Sequence, residues 1–191
     1  MPGDVWKGGA LDPSRLEPVS AANAADLQLA GFSVSWTPQT VILMIFIGIV
    51  LWAGVNDLRR GTITNTINSA LFVLWVAWVV TGGQASVFAS LGIGVAIFLL
   101  GAVLFHFGQM GGGDVKMLTV LGIWAGPNEI LMFLIQVAFA GGLLTMLWIA
   151  HFRFLAPALG RIEPDDSKQF VPYGVAIAAG ALLLATRLWT S

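Results

Sequence analysis

Long apolar stretches broken by short polar or glycine-rich runs make up this sequence from position 36 onward. A helix needs about 20 apolar residues to cross the hydrocarbon of a bilayer. Residues 41–55, continuing a weaker start at Trp36, form the first such stretch, and Asn56-Asp57-Leu58-Arg59-Arg60-Gly61 ends it. Residues 67–80 form the second and close at Thr81-Gly82-Gly83-Gln84. Residues 87–107 form the third, broken by Gly108-Gln109-Met110-Gly111-Gly112-Gly113. Residues 115–124 are short and begin a fourth, extended through Asp114. Gly126-Pro127-Asn128-Glu129 reads as a tight turn. Residues 130–150 and 171–189 supply the fifth and sixth, separated by the longest internal polar stretch, 151–170. The pattern predicts an all-α integral membrane protein with about six transmembrane helices in residues 38–191.

Residues 1–37 break from this pattern. They mix Gly, Pro and Ala with Lys7 and Arg15 against Asp4, Asp12, Glu17 and Asp26. No basic start leads into an apolar core, so the segment does not read as a secretory signal. It reads as a mobile tail on the non-cytoplasmic side, with room for a short amphipathic turn over 16–32.

Composition agrees with lipid as the solvent. Hydrophobic residues make up 57% of the 191 and charged ones 10%, against roughly 25% charged in a soluble domain. The net charge of −1 argues against nucleic acid, which needs a basic surface. The absence of cysteine excludes thiolate nucleophiles and zinc–thiolate sites.

Charge also sets an orientation. If six spans alternate, Arg59, Arg60, Lys116, Arg153, Arg161 and Lys168 share one side, and Lys7, Arg15 and Arg187 the other. Lys and Arg collect in cytoplasmic loops, which puts the six-residue side in the cytoplasm and both termini outside. Trp36, Trp52, Trp124 and Trp189 fall near span ends, where interfacial tryptophans anchor a helix.

Under this topology Asp57 closes the first span and Asp114 opens the fourth, at one face and at similar depth. An ionisable group in hydrocarbon costs about 3 kcal/mol or more, so it needs a compensating reason. Two acids brought close in a low-dielectric interface share a proton and titrate as a pair. Aspartic proteases use such a pair: one carboxylate activates water while the other, protonated, polarises the peptide carbonyl. The sequence does not say which aspartate takes which role. Gly111, Gly112 and Gly113 before Asp114 leave room for a substrate strand to approach the backbone. The start of a helix favours the Asp114 anion, and Lys116 either adds to this or binds lipid phosphate. Taken singly, each feature has a plainer reading: Asp57 with Arg59 and Arg60 as a helix exit with a stop-transfer cluster, and Asp114 as an N-cap after a flexible loop. Their joint placement on one face is what favours catalysis.

The segment 57–65, Asp57-Leu58-Arg59-Arg60-Gly61-Thr62-Ile63-Thr64-Asn65, resembles the D-x-R-x-x-x-I-x-N motif of the type IV prepilin peptidases. Gly111-Gly112-Gly113-Asp114-Val115-Lys116 resembles their G-x-G-D-x-K motif. Residues 107–127 and 172–180 are also similar to the corresponding family stretches, and the resemblance extends over roughly 41–188. It implies a membrane aspartic endopeptidase with Asp57 and Asp114 as the catalytic pair and neither metal nor cofactor. It implies structural or substrate-positioning roles for Arg59, Asn65, Gly111, Gly113 and Lys116, with the two cations facing either lipid or substrate. The expected partners are a prepilin or pseudopilin, cut after its short basic cytoplasmic leader, and the lipid of the bacterial inner membrane. Thr64 stands where many members have proline. The chain lacks the CxxC-bearing domain of the long bifunctional members, so N-methyltransferase activity is not expected. Its length resembles the short branch that serves Flp or tight-adherence pili.

Other chemistries fit less well. A zinc protease needs three protein ligands, and the chain offers only His106 and His151, without HExxH. The glycine run lacks the Lys-Ser/Thr ending of a phosphate-binding loop. Ser33, in Gly31-Phe32-Ser33, has no base placed near it and reads as a turn or cap serine. The rival from another class is a small ion-coupled membrane transporter, since embedded acids and broken helices also mark ion pathways. Against it, the halves share no similarity and the acids lie at one surface, whereas a proton path needs groups at several depths. A purely structural pilus-assembly component is a third reading, in which both aspartates would be dispensable.

Overall fold

The computed structural model describes residues 27–29, 32–34, 36–84, 86–151 and 173–190. Among the described residues, five helices carry the membrane part: α1 (Pro38–Arg60), α2 (Asn65–Val80), α3 (Val87–His106), α4 (Gly112–Ala150) and α5 (Tyr173–Thr190). Two short strands, β1 (Leu27–Leu29) and β2 (Phe32–Val34), precede them.

The strands form an antiparallel pair in which Leu27 faces Val34, Gln28 faces Ser33 and Leu29 faces Phe32. They occupy part of the segment in which the sequence suggested an amphipathic turn. The alternation Leu-Gln-Leu and Phe-Ser-Val is a period-two pattern, which suits a strand. Residues 1–26 and the polar stretch 152–172 lie outside the described residues, and with them Lys7, Arg15, Arg153, Arg161 and Lys168.

Of the six spans expected, three helices among the described residues are long and apolar enough to cross a membrane: α1, α3 and α4. α2 has 16 residues, a rise of about 24 Å at 1.5 Å per residue, which falls short of the hydrocarbon core unaided. α1 runs further than the apolar pattern implied, carrying Asn56, Asp57, Arg59 and Arg60 in its last two turns. Gly61, at φ 61°, ends it by donating its N–H to the Asp57 carbonyl at 2.7 Å, the usual left-handed glycine stop.

The expected fourth and fifth spans are joined in α4, a single 39-residue element broken at Gly126, where φ is 60° and ψ −174°. Only glycine adopts this conformation readily. Pro127 then stands at the first position of a new helical segment, where its missing N–H has no partner to lose. The neighbours show what the break does. α1 and α2 are antiparallel, with Gln39 bonded to Thr81 at 3.0 Å and Asn56 to Thr62 at 2.7 Å. The first part of α4 runs parallel to α2, since Lys116 meets Asn65 and Trp124 meets Leu71. α5 is antiparallel to α1, with Gly54 against Ala178. The second part of α4 is antiparallel to α5: Glu129 meets Arg187 at 3.3 Å, Val137 meets Gly180 and Gly141 meets Ala176. The chain therefore reverses direction at Gly126, and the five helices contain six segments of alternating direction.

The core lies where α1, α2, α5 and the first part of α4 meet. Phe46, Val50, Leu71, Met117, Leu121, Trp124, Ile177 and Leu184 are fully buried there. Helices surrounded by lipid gain no hydrophobic driving force from one another, so close packing of small residues carries the association. Gly101 sits under Val115 and Gly54 under Ala178 accordingly. Trp36, Trp52 and Trp189 are exposed, as span-end anchors should be. Trp124 is not; it is 1% exposed, 4.5 Å from the Phe46 ring, and donates its Nε1–H to the Leu71 carbonyl at 3.0 Å. It anchors α4 to α2 rather than to the interface, because the first part of α4 turns that edge to its neighbours.

Gly126 also backs onto a buried polar knot. Gln84 accepts the Trp75 Nε1–H at 2.6 Å and donates to the Ser90 hydroxyl at 2.6 Å. A methyl group on Gly126 would run into the Gln84 amide and stand 3.1 Å from Ser90 Oγ. Gly126→Ala is therefore expected to destabilise the fold by about 1–3 kcal/mol, read as a lower midpoint of thermal unfolding in detergent. An unchanged midpoint would show that the break does not depend on glycine.

Candidate active site

The two aspartates end the buried stripes of their helices. On α1 the buried positions are Ile42, Leu43 and then Phe46, Val50, Ala53 and Asp57, the last four spaced four, three and four apart. On α4 the buried positions include Asp114, Met117, Leu121 and Trp124, with Val115, Gly122, Ile123 and Ala125 buried beside them. Helical periodicity puts each carboxylate on the same face as the core residues that follow or precede it. Asp57 is 2% exposed and Asp114 is 3% exposed. The helix directions put the end of α1 beside the starts of α4 and α5, so the acids lie at one end of the bundle. They are within Coulombic reach of each other.

Backbone faces both carboxyls. The Asp57 carboxyl faces the main-chain N–H groups of Gly174 and Val175, in the first turn of α5, where the helix dipole favours an anion. Asp114 turns back toward the main-chain N–H of Gly111, the cap of its own helix, as an acid at the third helical position does. The Asp57 Oδ2 is buried without a hydrogen-bond partner. Among the described residues no cation pairs with either acid. An acid buried without a counter-cation is costly unless it has work to do.

One side chain in the α1–α2 turn sets the spacing of the site. Ile63 is 9% exposed. A Cβ on Gly113 would stand 2.9 Å from the Ile63 carbonyl oxygen and 3.2 Å from its Cβ. A Cβ on Gly174 would stand 2.7 Å from Ile63 Cδ1 and 2.7 Å from the Asp57 Cγ and Oδ2. Ile63 is thus wedged between the starts of α4 and α5, and the wedge fits because both are glycine at the contact.

The other residues singled out in the sequence divide. Lys116 donates from Nζ to Asn65 Oδ1 at 2.9 Å, joining the two motifs by a direct hydrogen bond. Gly111 lies under Asp114, and a Cβ there would stand 2.9 Å from Oδ2. Arg59 is exposed and turns away, lining a shallow surface pocket with Trp52, Asn56 and Arg60. Ile63 and Gly174 were not among the candidate site residues. Both lie in stretches with visible family likeness, but neither carries chemistry that marks it in a sequence.

A sequence model of the type IV leader peptidase family matches residues 26–146. The chain belongs to the type IV leader peptidase family. No curated protein and no solved structure matches it. Membership makes this chain a peptidase, in keeping with its long apolar helices. The matched region takes in both leader-peptidase motifs and ends before α5, so the contact of Gly174 with Asp57 is contributed by the fold beyond the match.

The crowding at Gly174 yields a sharp expectation for this leader peptidase. Gly174→Ala places a methyl where the Asp57 carboxyl and Ile63 Cδ1 now lie, so the carboxyl must move. Peptidase turnover should fall by roughly tenfold or more, as for a displacement of about 1 Å at a reacting group. Combining it with Ile63→Val, which shortens the wedge by one methyl, should restore part of the loss. The check is the rate of substrate cleavage by purified protein, and full activity in the single variant would contradict the contact.

Proposed function

We propose that this leader peptidase is an aspartic endopeptidase that removes the cytoplasmic leader of a prepilin or pseudopilin, with Asp57 and Asp114 as its catalytic pair. A single observation carries this reading: two buried carboxyls, 57 positions apart in the chain and each in a family-like motif, lie at one end of the bundle within Coulombic reach of each other, and among the described residues no cation pairs with either. Like charges so placed favour one proton held by the pair. The ionised carboxylate takes a proton from water, and the oxygen attacks the scissile carbonyl carbon. The protonated partner hydrogen-bonds the carbonyl oxygen as negative charge develops there. The tetrahedral intermediate collapses as the amide nitrogen takes up a proton and the C–N bond breaks. Water is the nucleophile, and no metal or cofactor takes part. Asn65, Lys116, Gly111 and Gly113 shape the site, and Arg59 meets lipid or substrate from outside.

The six alternating segments support a multi-pass arrangement of six spans in the bacterial inner membrane. Arg59, Arg60 and Lys116 share the end that holds the carboxyls, and Arg187 lies at the other, which favours an active site at the cytoplasmic face with both termini outside. The short-branch likeness to Flp and tight-adherence peptidases supports a processing role without N-methylation. A transporter reading has no comparable support, because the described acids of the bundle interior lie together at one end.

The test uses detergent-purified protein and a prepilin, with cleavage followed as a gel shift. Asp57→Asn and Asp114→Asn are each expected to reduce turnover by at least about 10³-fold while leaving the thermal unfolding midpoint unchanged or higher. Processing by either single variant at near wild-type rate would refute the catalytic pair.

A further inference from the structure

α2 and α3 both pack on α4 and scarcely touch each other. Between them runs a groove of about 520 Å3, open to the side of the bundle, a size typical of a ligand site. Its walls are apolar, with Phe72 and Val73 from α2 and Phe98 from α3. Its floor is polar, with Asn65, Asn68 and Lys116. Lys116 lies two residues beyond Asp114, so the polar floor is at the level of the carboxyls and the apolar walls extend away from them along α2.

Asn68 is the informative residue. It lines the groove, is 6% exposed, and neither Oδ1 nor Nδ2 has a hydrogen-bond partner. A buried carboxamide with both ends unpaired is an unusual liability in a folded protein. Its burial keeps bulk water from relieving it. A lipid tail lying in the groove offers neither a donor nor an acceptor. A regular helix offers none either, because its main-chain groups bond to one another. A peptide segment that has left the helical state offers both, an N–H and a C=O, and peptide-bond hydrolysis requires such a segment next to the carboxyls.

We propose that the α2–α3 groove seats the apolar segment of the substrate next to the scissile bond, and that the Asn68 carboxamide binds its unwound main chain. This rests on the leader-peptidase reading above and adds the substrate's path: lateral, from the lipid, along α2 to the end of the bundle that holds Asp57 and Asp114. Asn68 is then a substrate-binding residue that holds the main chain open. Its structural contribution in the free protein is nil or negative, since it satisfies no other group.

Two measurements on the full-length protein decide this. First, p-benzoylphenylalanine is placed at Val73, Phe98 or, as a control on the lipid face, Leu131, and irradiated with a radiolabelled prepilin in nanodiscs. Adducts to the prepilin from Val73 and Phe98 and not from Leu131 are expected. Adducts to phospholipid alone, or prepilin adducts of equal yield from Leu131, overturn the proposal. Second, Asn68→Leu should raise KM by roughly tenfold, the worth of one or two hydrogen bonds, with kcat little changed and the thermal midpoint unchanged or higher. Asn68→Ser, which keeps a donor and an acceptor, should recover part of the KM. A normal KM in Asn68→Leu, or a KM change that tracks a falling midpoint, also overturns it. Should Asn68→Leu fail to fold, the crosslinks still decide. If the wild-type protein cuts no prepilin, the leader-peptidase reading itself has failed, a result distinct from cleavage without groove adducts.

Discussion

The structure turns on keeping two carboxyl groups out of water and, among the described residues, unpaired with any cation. Asp57 and Asp114 are as buried as the leucines of the core, and neither has an ion-pair partner among the described residues. In lipid-facing helices nothing else forces the ends of α1, α4 and α5 together. Small residues allow it and backbone dipoles favour it, since the first turns of α4 and α5 both present N–H groups to an acid. What remains is a charge problem that the free protein leaves unsolved, with one oxygen of Asp57 lacking any hydrogen-bond partner. A reacting peptide and its water would supply those partners.

Ile63 shows how a residue without chemistry controls residues with it. The turn between α1 and α2 carries this one buried side chain into the space between two helix starts. Glycines receive it on both sides, at 113 and 174. A hydrocarbon side chain therefore lies between the starts of α4 and α5, the helices that carry Asp114 and cover Asp57. The Lys116–Asn65 bond ties the same turn to α4 from the outer side, where solvent and salt weaken it. It guides the approach of the two helix starts more than it holds them.

The break at Gly126 has the opposite character, being rigid and remote from the acids. It reverses α4 so that its second part lies antiparallel to α5, and Gln84, Ser90 and Trp75 lock its inner side by hydrogen bonds. This reversal lets α5 return with its first turn over Asp57. The polar groove on the other side of α4 is the counterpart of this arrangement: α3 follows α4 alone, α2 follows α1 and α4, and the seam between α2 and α3 stays open.

Much of this was legible in the residues themselves. Length and apolar runs identified helices in lipid, because continuous apolar stretches near 20 residues suit a helix, which satisfies its own backbone hydrogen bonds there. The two spaced motifs identified the acids, since charge is expensive in that setting and stands out. Tertiary structure alone decided the rest. Helices apolar on every side carry no marked inner face, so the sequence did not tell that Trp124 is buried, that Gly174 meets Asp57, or that Asn68 has no partner. The turn expected at 126–129 is where the chain reverses, but the packing of Gly126 against Gln84 and Ser90 is something only the fold decides.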